Sequence, residues 1–115
     1  MSIVHANLIL EEIGRFAIPG IDKILSEVET GYVSFEVATG TSNSAFPIST
    51  VTGITTIAVF YIESDQTISW KQSSGDTACT VTANGFQLLF NTSMTAILLS
   101  NASGSTANVK IYVAG

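Results

Sequence analysis

The residues in this chain that could do chemistry are few and widely separated. Nucleophilic catalysis needs a base within hydrogen-bond reach of the nucleophile. The one histidine, His5, lies in an apolar amino-terminal stretch, away from the turns of the rest of the chain. His5 reads as a surface or contact residue, and a Ser-His-Asp arrangement is not expected. Cys79, the one thiol, shares with Val81 what reads as an inward strand face, alternating with Thr80 and Thr82, which makes it an inert core residue. A lone thiol forms neither an internal disulfide nor a C-x-x-C metal clip. Glu63 and Asp65 are close enough in sequence to suggest the paired carboxylates of glycoside cleavage. They flank the turn in Ile62-Glu-Ser-Asp-Gln-Thr67, where acidic residues end strands and hydrogen-bond their own backbone. Calcium held by Glu63, Asp65 and Asp76 would require two loops to meet, and no D-x-D-x-D-G run is present. The expectation is a protein that is not an enzyme, with no catalytic residue, metal or cofactor.

Binding chemistry is sparse as well. The glycines are dispersed through turns and never form G-x-x-x-x-G-K, so no phosphate loop is expected. Trp70, beside Lys71 and Gln72, could stack on a sugar ring, but it shares a strand face with Ile68 and reads first as core. Asn91-Thr-Ser93 and Asn101-Ala-Ser103 match the glycosylation sequon and read as loop residues. Four Lys or Arg against nine Asp or Glu give a net charge of -5. That is the wrong sign for neutralising phosphates, so nucleic acid is not an expected partner.

The elements that must carry these residues follow from composition and periodicity. The 115 residues are 46% hydrophobic and 11% charged, the profile of a folding domain and not of a disordered tail. The apolar run Ile57–Ile62 is far short of the ~18 residues of a spanning helix, so no membrane partner is expected. No Lys or Arg precedes Arg15, unlike the basic start of a cleaved leader. Charge density changes near Thr30: seven of the first thirty residues are charged, against six of the remaining eighty-five. The chain therefore divides into an arm, 1–30, and a domain, 31–115.

The second part reads as all β. Val33, Phe35 and Val37 alternate with Ser34 and Glu36, and Ala107, Val109, Ile111 and Val113 alternate with Asn108, Lys110 and Tyr112, each pattern that of a half-buried strand. The segment 54–63 is apolar on both faces and belongs in mid-sheet. Turn signals recur every ~8–12 residues, as in sandwiches and barrels. Runs near 31–38, 46–51, 54–63, 67–72, 78–83, 86–91, 95–100 and 106–113 give about eight strands, the number of a jelly roll. Pro47 marks an edge or a strand start. Asn84-Gly85 predicts a type I′ hairpin that pairs 78–83 with 86–91.

Pro19-Gly20 divides the first part. Ile21, Ile24, Leu25 and Val28 fall at i, i+3, i+4 and i+7, which predicts a short helix. Ser26-Glu-Val-Glu29 also alternates at period two, so an extended arm running into the first strand is the alternative. Ile3, Leu8, Leu10, Ile13, Phe16, Ile21, Ile24, Leu25 and Val28 are too apolar to face water. Burying a few of them at ~25 cal/mol per Å² would contribute several kcal/mol. They are the expected interface, facing a neighbouring subunit or an open face of their own sandwich.

The segments 62–71, 84–90 and 98–115, above all the closing strand after the Ser-Asn-x-Ser-Gly turn and its stop at Ala-Gly, resemble small β-sandwich virion proteins of tailed bacteriophages. The resemblance covers residues 31–115 and carries no catalytic residue. It implies a virion part assembled in the bacterial cytoplasm: a capsid decoration or cement protein, or a tail-associated one. The implied partners are copies of itself, with a trimer favoured, and major capsid or tail proteins. The alternative is a tail-fibre adhesin that grips host polysaccharide through Trp70, or through Tyr61 and Glu63.

Overall fold

The computed structural model describes residues 2–12 and 16–115, the side chains of 2–28 and of Asn91 excepted. In chain order the strands are β1 (Ser2–Glu12), β2 (Phe16–Val28), β3 (Thr30–Val37) and β4 (Ser44–Phe46), followed by the helix α1 (Ile48–Thr52). Then come β5 (Ile57–Ser64), β6 (Ile68–Lys71), β7 (Cys79–Val81), β8 (Gly85–Met94), β9 (Ile97–Ser100) and β10 (Ala107–Ala114). Eight of these strands form two four-stranded sheets, ordered β3-β10-β5-β8 and β4-β9-β6-β7. Every pairing is antiparallel. Of these eight, only β6 and β7 are sequence neighbours paired in one sheet; every other link between consecutive strands, from β3 onward, crosses from sheet to sheet. That double crossing is the strand order of a jelly roll.

Inward-facing residues from both sheets close one core. Phe60, Ile62, Ile111, Val113, Ile97 and Val81 are all essentially inaccessible. Phe35 of β3 stacks on Phe46 of β4 across the sandwich, with ring centroids 4.4 Å apart. As expected for 54–63, β5 is an interior strand; its inward side is buried, while outward Val59 is buried and Tyr61 and Glu63 only partly so. On its outer side Val59 forms a second, smaller apolar cluster with Ala114, against which Phe90 and Tyr112 pack.

Four local expectations are corrected. The strand expected at 46–51 is the end of β4 followed by α1. Pro47 occupies the cap position before the helix, where its missing N–H removes no hydrogen bond. Gly53 ends the helix at φ 78°, its N–H donating to the Ser49 carbonyl. A Cβ on Gly31 would lie 2.6 Å from Cβ of Thr52, so β3 passes close under α1. Secondly, β7 and β8 are not a hairpin: β7 pairs with β6 and β8 with β5. A type I′ hairpin needs positive φ at both central residues. Here Asn84 alone has it, at φ 61°. Gly85 closes the turn by donating to the Thr82 carbonyl, which makes Thr82–Gly85 a corner between sheets.

Thirdly, Cys79 is exposed. It opens a three-residue strand at the rim of its sheet, and only Val81 on that strand reaches the core. Fourthly, residues 21–28 are strand, not helix. β2 pairs with β1 over most of its length, with Leu8 opposite Ile21 and Val4 opposite Leu25. An isolated helix needs ~12–15 residues even with good helix formers, whereas β1 offers β2 a partner residue by residue. Pro19 is accommodated because the register shifts between Leu8 and Leu10, a bulge at which the ladder tolerates a missing N–H. The extended arm is thus the alternative that the chain adopts. It leads into the sandwich through Glu29, which exchanges N–H···O bonds of 3.0 and 2.9 Å with Gly115.

Candidate interaction surface

Two apolar features remain after the core is closed. The first is the arm. Among the described residues β1 and β2 form a two-stranded sheet that belongs to neither sheet of the sandwich. Of the expected interface residues, Ile3, Leu8 and Leu10 lie on β1, and Phe16, Ile21, Ile24, Leu25 and Val28 on β2; Ile13 lies outside the described residues. The four residues that the helical spacing placed on one stripe divide by register: Ile21, Leu25 and Val28 pair with Leu8, Val4 and Ser2 on one face of the ladder, and Ile24 falls on the other. His5 stands opposite Ile24 in this ladder.

The second feature is the outer face of the β3-β10-β5-β8 sheet. Register aligns Tyr32 with Tyr112, Tyr112 with Tyr61 and Tyr61 with Leu88, so all three tyrosines of the chain stand in one row across four strands. The next row is Ser34, Lys110, Glu63 and Phe86. Tyr32 is 60% exposed, Phe86 61% and Leu88 45%. Tyr61 stacks on Phe86 at 5.6 Å. Partial burial, and after it the neighbouring Glu63 carboxylate, push the Tyr61 phenol above its ordinary pKa of 10.0. The sequence reading missed this row. The signal was there: each tyrosine sits on the parity otherwise occupied by Ser34, Glu36, Glu63 and Lys110.

The polar residues singled out from the sequence are engaged locally. An open cleft of about 300 Å³ is lined by Glu63, Ser64, Asp65, Asn84, Asn108 and Lys110. In it the Asp65 carboxylate accepts from the Asn108 backbone N–H and from Asn108 Nδ2, both at 2.7 Å. These bonds, the side-chain one foremost, hold Asp65 below its ordinary value, opposite to what a general acid needs. Glu63 lies 3.9 Å from Lys110 with both side chains about half exposed, a pair worth ~0–1 kcal/mol. Asp76 accepts from the Ser73 N–H in its own turn. Trp70 is core, as its face indicated: it is 3% exposed and edge-on to Phe60 at 4.9 Å. Asn101 is fully buried, donating through Nδ2 to the Val37 and Ser105 carbonyls and accepting from the Ser103 N–H. The sequon it heads is therefore closed to a glycan.

No helix among the described residues is long and apolar enough to cross a membrane, and no group of three or more His, Cys, Asp or Glu gathers there. Comparison of the chain with known protein families, with curated proteins and with solved structures found no match.

Proposed function

We propose that this protein is a non-enzymatic assembly subunit that docks through its amino-terminal arm, in the manner of a bacteriophage capsid decoration or cement protein. The observation that carries the reading is the β1–β2 hairpin. An isolated two-stranded hairpin is marginal in water, because ordering it costs backbone entropy that two strands alone do not recover. A hairpin of 11 and 13 residues with apolar residues on both parities, outside both sheets of its own sandwich, calls for a covering surface. A neighbouring subunit or a host lattice supplies one, and symmetry multiplies weak contacts into firm attachment. The jelly-roll strand order and the style of the closing strand support a virion part, a fold otherwise shared with lectins.

Light scattering on the full chain tests this. Assembly into a trimer or larger ring is expected, and Leu8→Asp with Ile21→Asp should reduce it to smaller species while the β-sheet circular dichroism persists. Unchanged assembly in that double variant would remove the arm from the function.

The row Tyr32, Tyr112, Tyr61 favours one second reading, a glycan-binding adhesin, since exposed aromatic faces stack on sugars. Trp70 is buried and takes no part in it. Glycan-array binding that disappears in Tyr32→Ala is the result that would favour this reading over the first.

A further inference from the structure

We infer that the free edge of β8 is a second interface, closed by antiparallel pairing with β8 of another copy of this chain about a two-fold axis. β8 ends its sheet, hydrogen-bonded to β5 on one side and to no strand of the described residues on the other. Such an edge presents a row of main-chain donors and acceptors, which proteins blunt with short strands, charge, proline or covering segments. The other edges show such devices: β4 and β7 are three residues each and Pro47 follows β4, while β3 carries Glu36 and is overlaid at Gly31 by α1. β8 has none. Its ten residues, Gly-Phe-Gln-Leu-Leu-Phe-Asn-Thr-Ser-Met, contain neither a charge nor a proline.

A second observation shows that the rim is open. Leu89 stands opposite Phe60, on the inward side of the sheet. Phe60 is completely buried, yet Leu89 is 36% exposed. The rim is open at Leu89, a core-facing leucine, with Phe86 and Leu88 exposed on the outer side. A partner strand at the usual spacing would cover Leu89 and extend the outer apolar row across the axis.

The occupant is argued from area and charge. β8 runs beside the eight residues Ile57–Ser64 of β5, so at ~3.4 Å per residue the strip is ~27 Å long, and two sheets ~10 Å apart with their outer side chains make it ~20 Å high. The resulting ~540 Å² per copy, ~1,100 Å² in all, clears the ~1,000 Å² that a specific interface needs. Two chains of net charge -5 repel one another, and an uncharged strand lets them meet without opposing carboxylates. Antiparallel self-pairing is isologous, each copy presenting the same surface to the other. This interface is independent of the arm: if the arm does not dock, the β8 pair still forms.

The test uses the full chain. Hydrogen exchange of the 85–94 segment should slow as protein concentration rises. Phe86→Lys with Leu88→Lys, both at exposed positions, should abolish that dependence and halve the mass seen by sedimentation. Leu8→Asp with Ile21→Asp should leave the β8 protection in place, which separates failure of this interface from failure of the arm. Protection of 85–94 independent of concentration, showing the edge covered within one chain, would overturn the inference. So would a mass that the lysine pair leaves unchanged.

Discussion

The indole Nε1 of Trp70 donates a 2.7 Å hydrogen bond to Oε1 of Gln87, joining β6 of one sheet to β8 of the other. Gln87 in turn donates through Nε2 to the Thr80 carbonyl on β7 at 3.0 Å. One glutamine thus satisfies the only polar atom of the Trp70 side chain and ties three strands together at the side of the sandwich where β7 turns into β8. A tryptophan held in this way is committed to the fold and is not available to a ligand.

Trp70→Ala should therefore destabilise the protein by ~3–5 kcal/mol through lost area and the cavity left behind. Gln87→Met preserves the volume but leaves the indole N–H unpaired, at a cost of ~1–3 kcal/mol. Urea unfolding followed by Trp70 fluorescence measures the second, and circular dichroism the first.

Asn101 is the second polar anchor. It joins the end of β3 to the turn before β10 with two donated bonds and one accepted bond, all to main-chain groups. Asn101→Ala strands those partners in a buried site and should cost about 3 kcal/mol or more. Asn101→Asp should be worse at neutral pH, because its carboxylate would face two carbonyl oxygens. Thermal melts of the two variants at pH 7 decide the order.

The Asp65–Asn108 contact predicts an acid limb in the stability profile. Asp65 has a folded-state pKa below its ordinary 3.8. Its contribution is complete above that value and is lost as pH falls through the lowered folded one. The gap in urea midpoint between the wild type and Asp65→Ala should be present at pH 6 and disappear in strong acid. A gap that widens on acidification would contradict the assignment.

Cys79 should react with a thiol reagent in the native protein without denaturant, since it is exposed and free. Cys79→Ser should change stability by no more than ~0.5 kcal/mol, as expected for a surface site. Mass spectrometry of the labelled native protein checks the first statement.

The alternation in Gly31–Ala38 and Thr106–Val113, the doubly apolar run at 57–62 and the spacing of turn residues were sufficient to read an all-β sandwich of about eight strands. Those signals are legible because strand burial leaves a period-two imprint on each segment separately. Pairing leaves no such imprint. Asn84-Gly85 looks the same whether it closes a hairpin or turns a corner, and the choice lay in β5 and β6, which claimed β8 and β7 for different sheets. Likewise Ile21, Ile24, Leu25 and Val28 satisfy a helical period, and only the presence of β1 as a partner made them a strand. Cys79 shows the same division: its parity was readable, but its exposure depended on lying at the end of the last strand in its sheet.

By itself, then, the amino-acid order determined which residues alternate, which runs are apolar on both sides and where the charge density changes. The tertiary structure decided which strands are neighbours, and with that the row of tyrosines and the open edge of β8. The reason is physical: side-chain parity is a property of a single strand, whereas register and edges arise only from long-range pairing between segments distant in the chain.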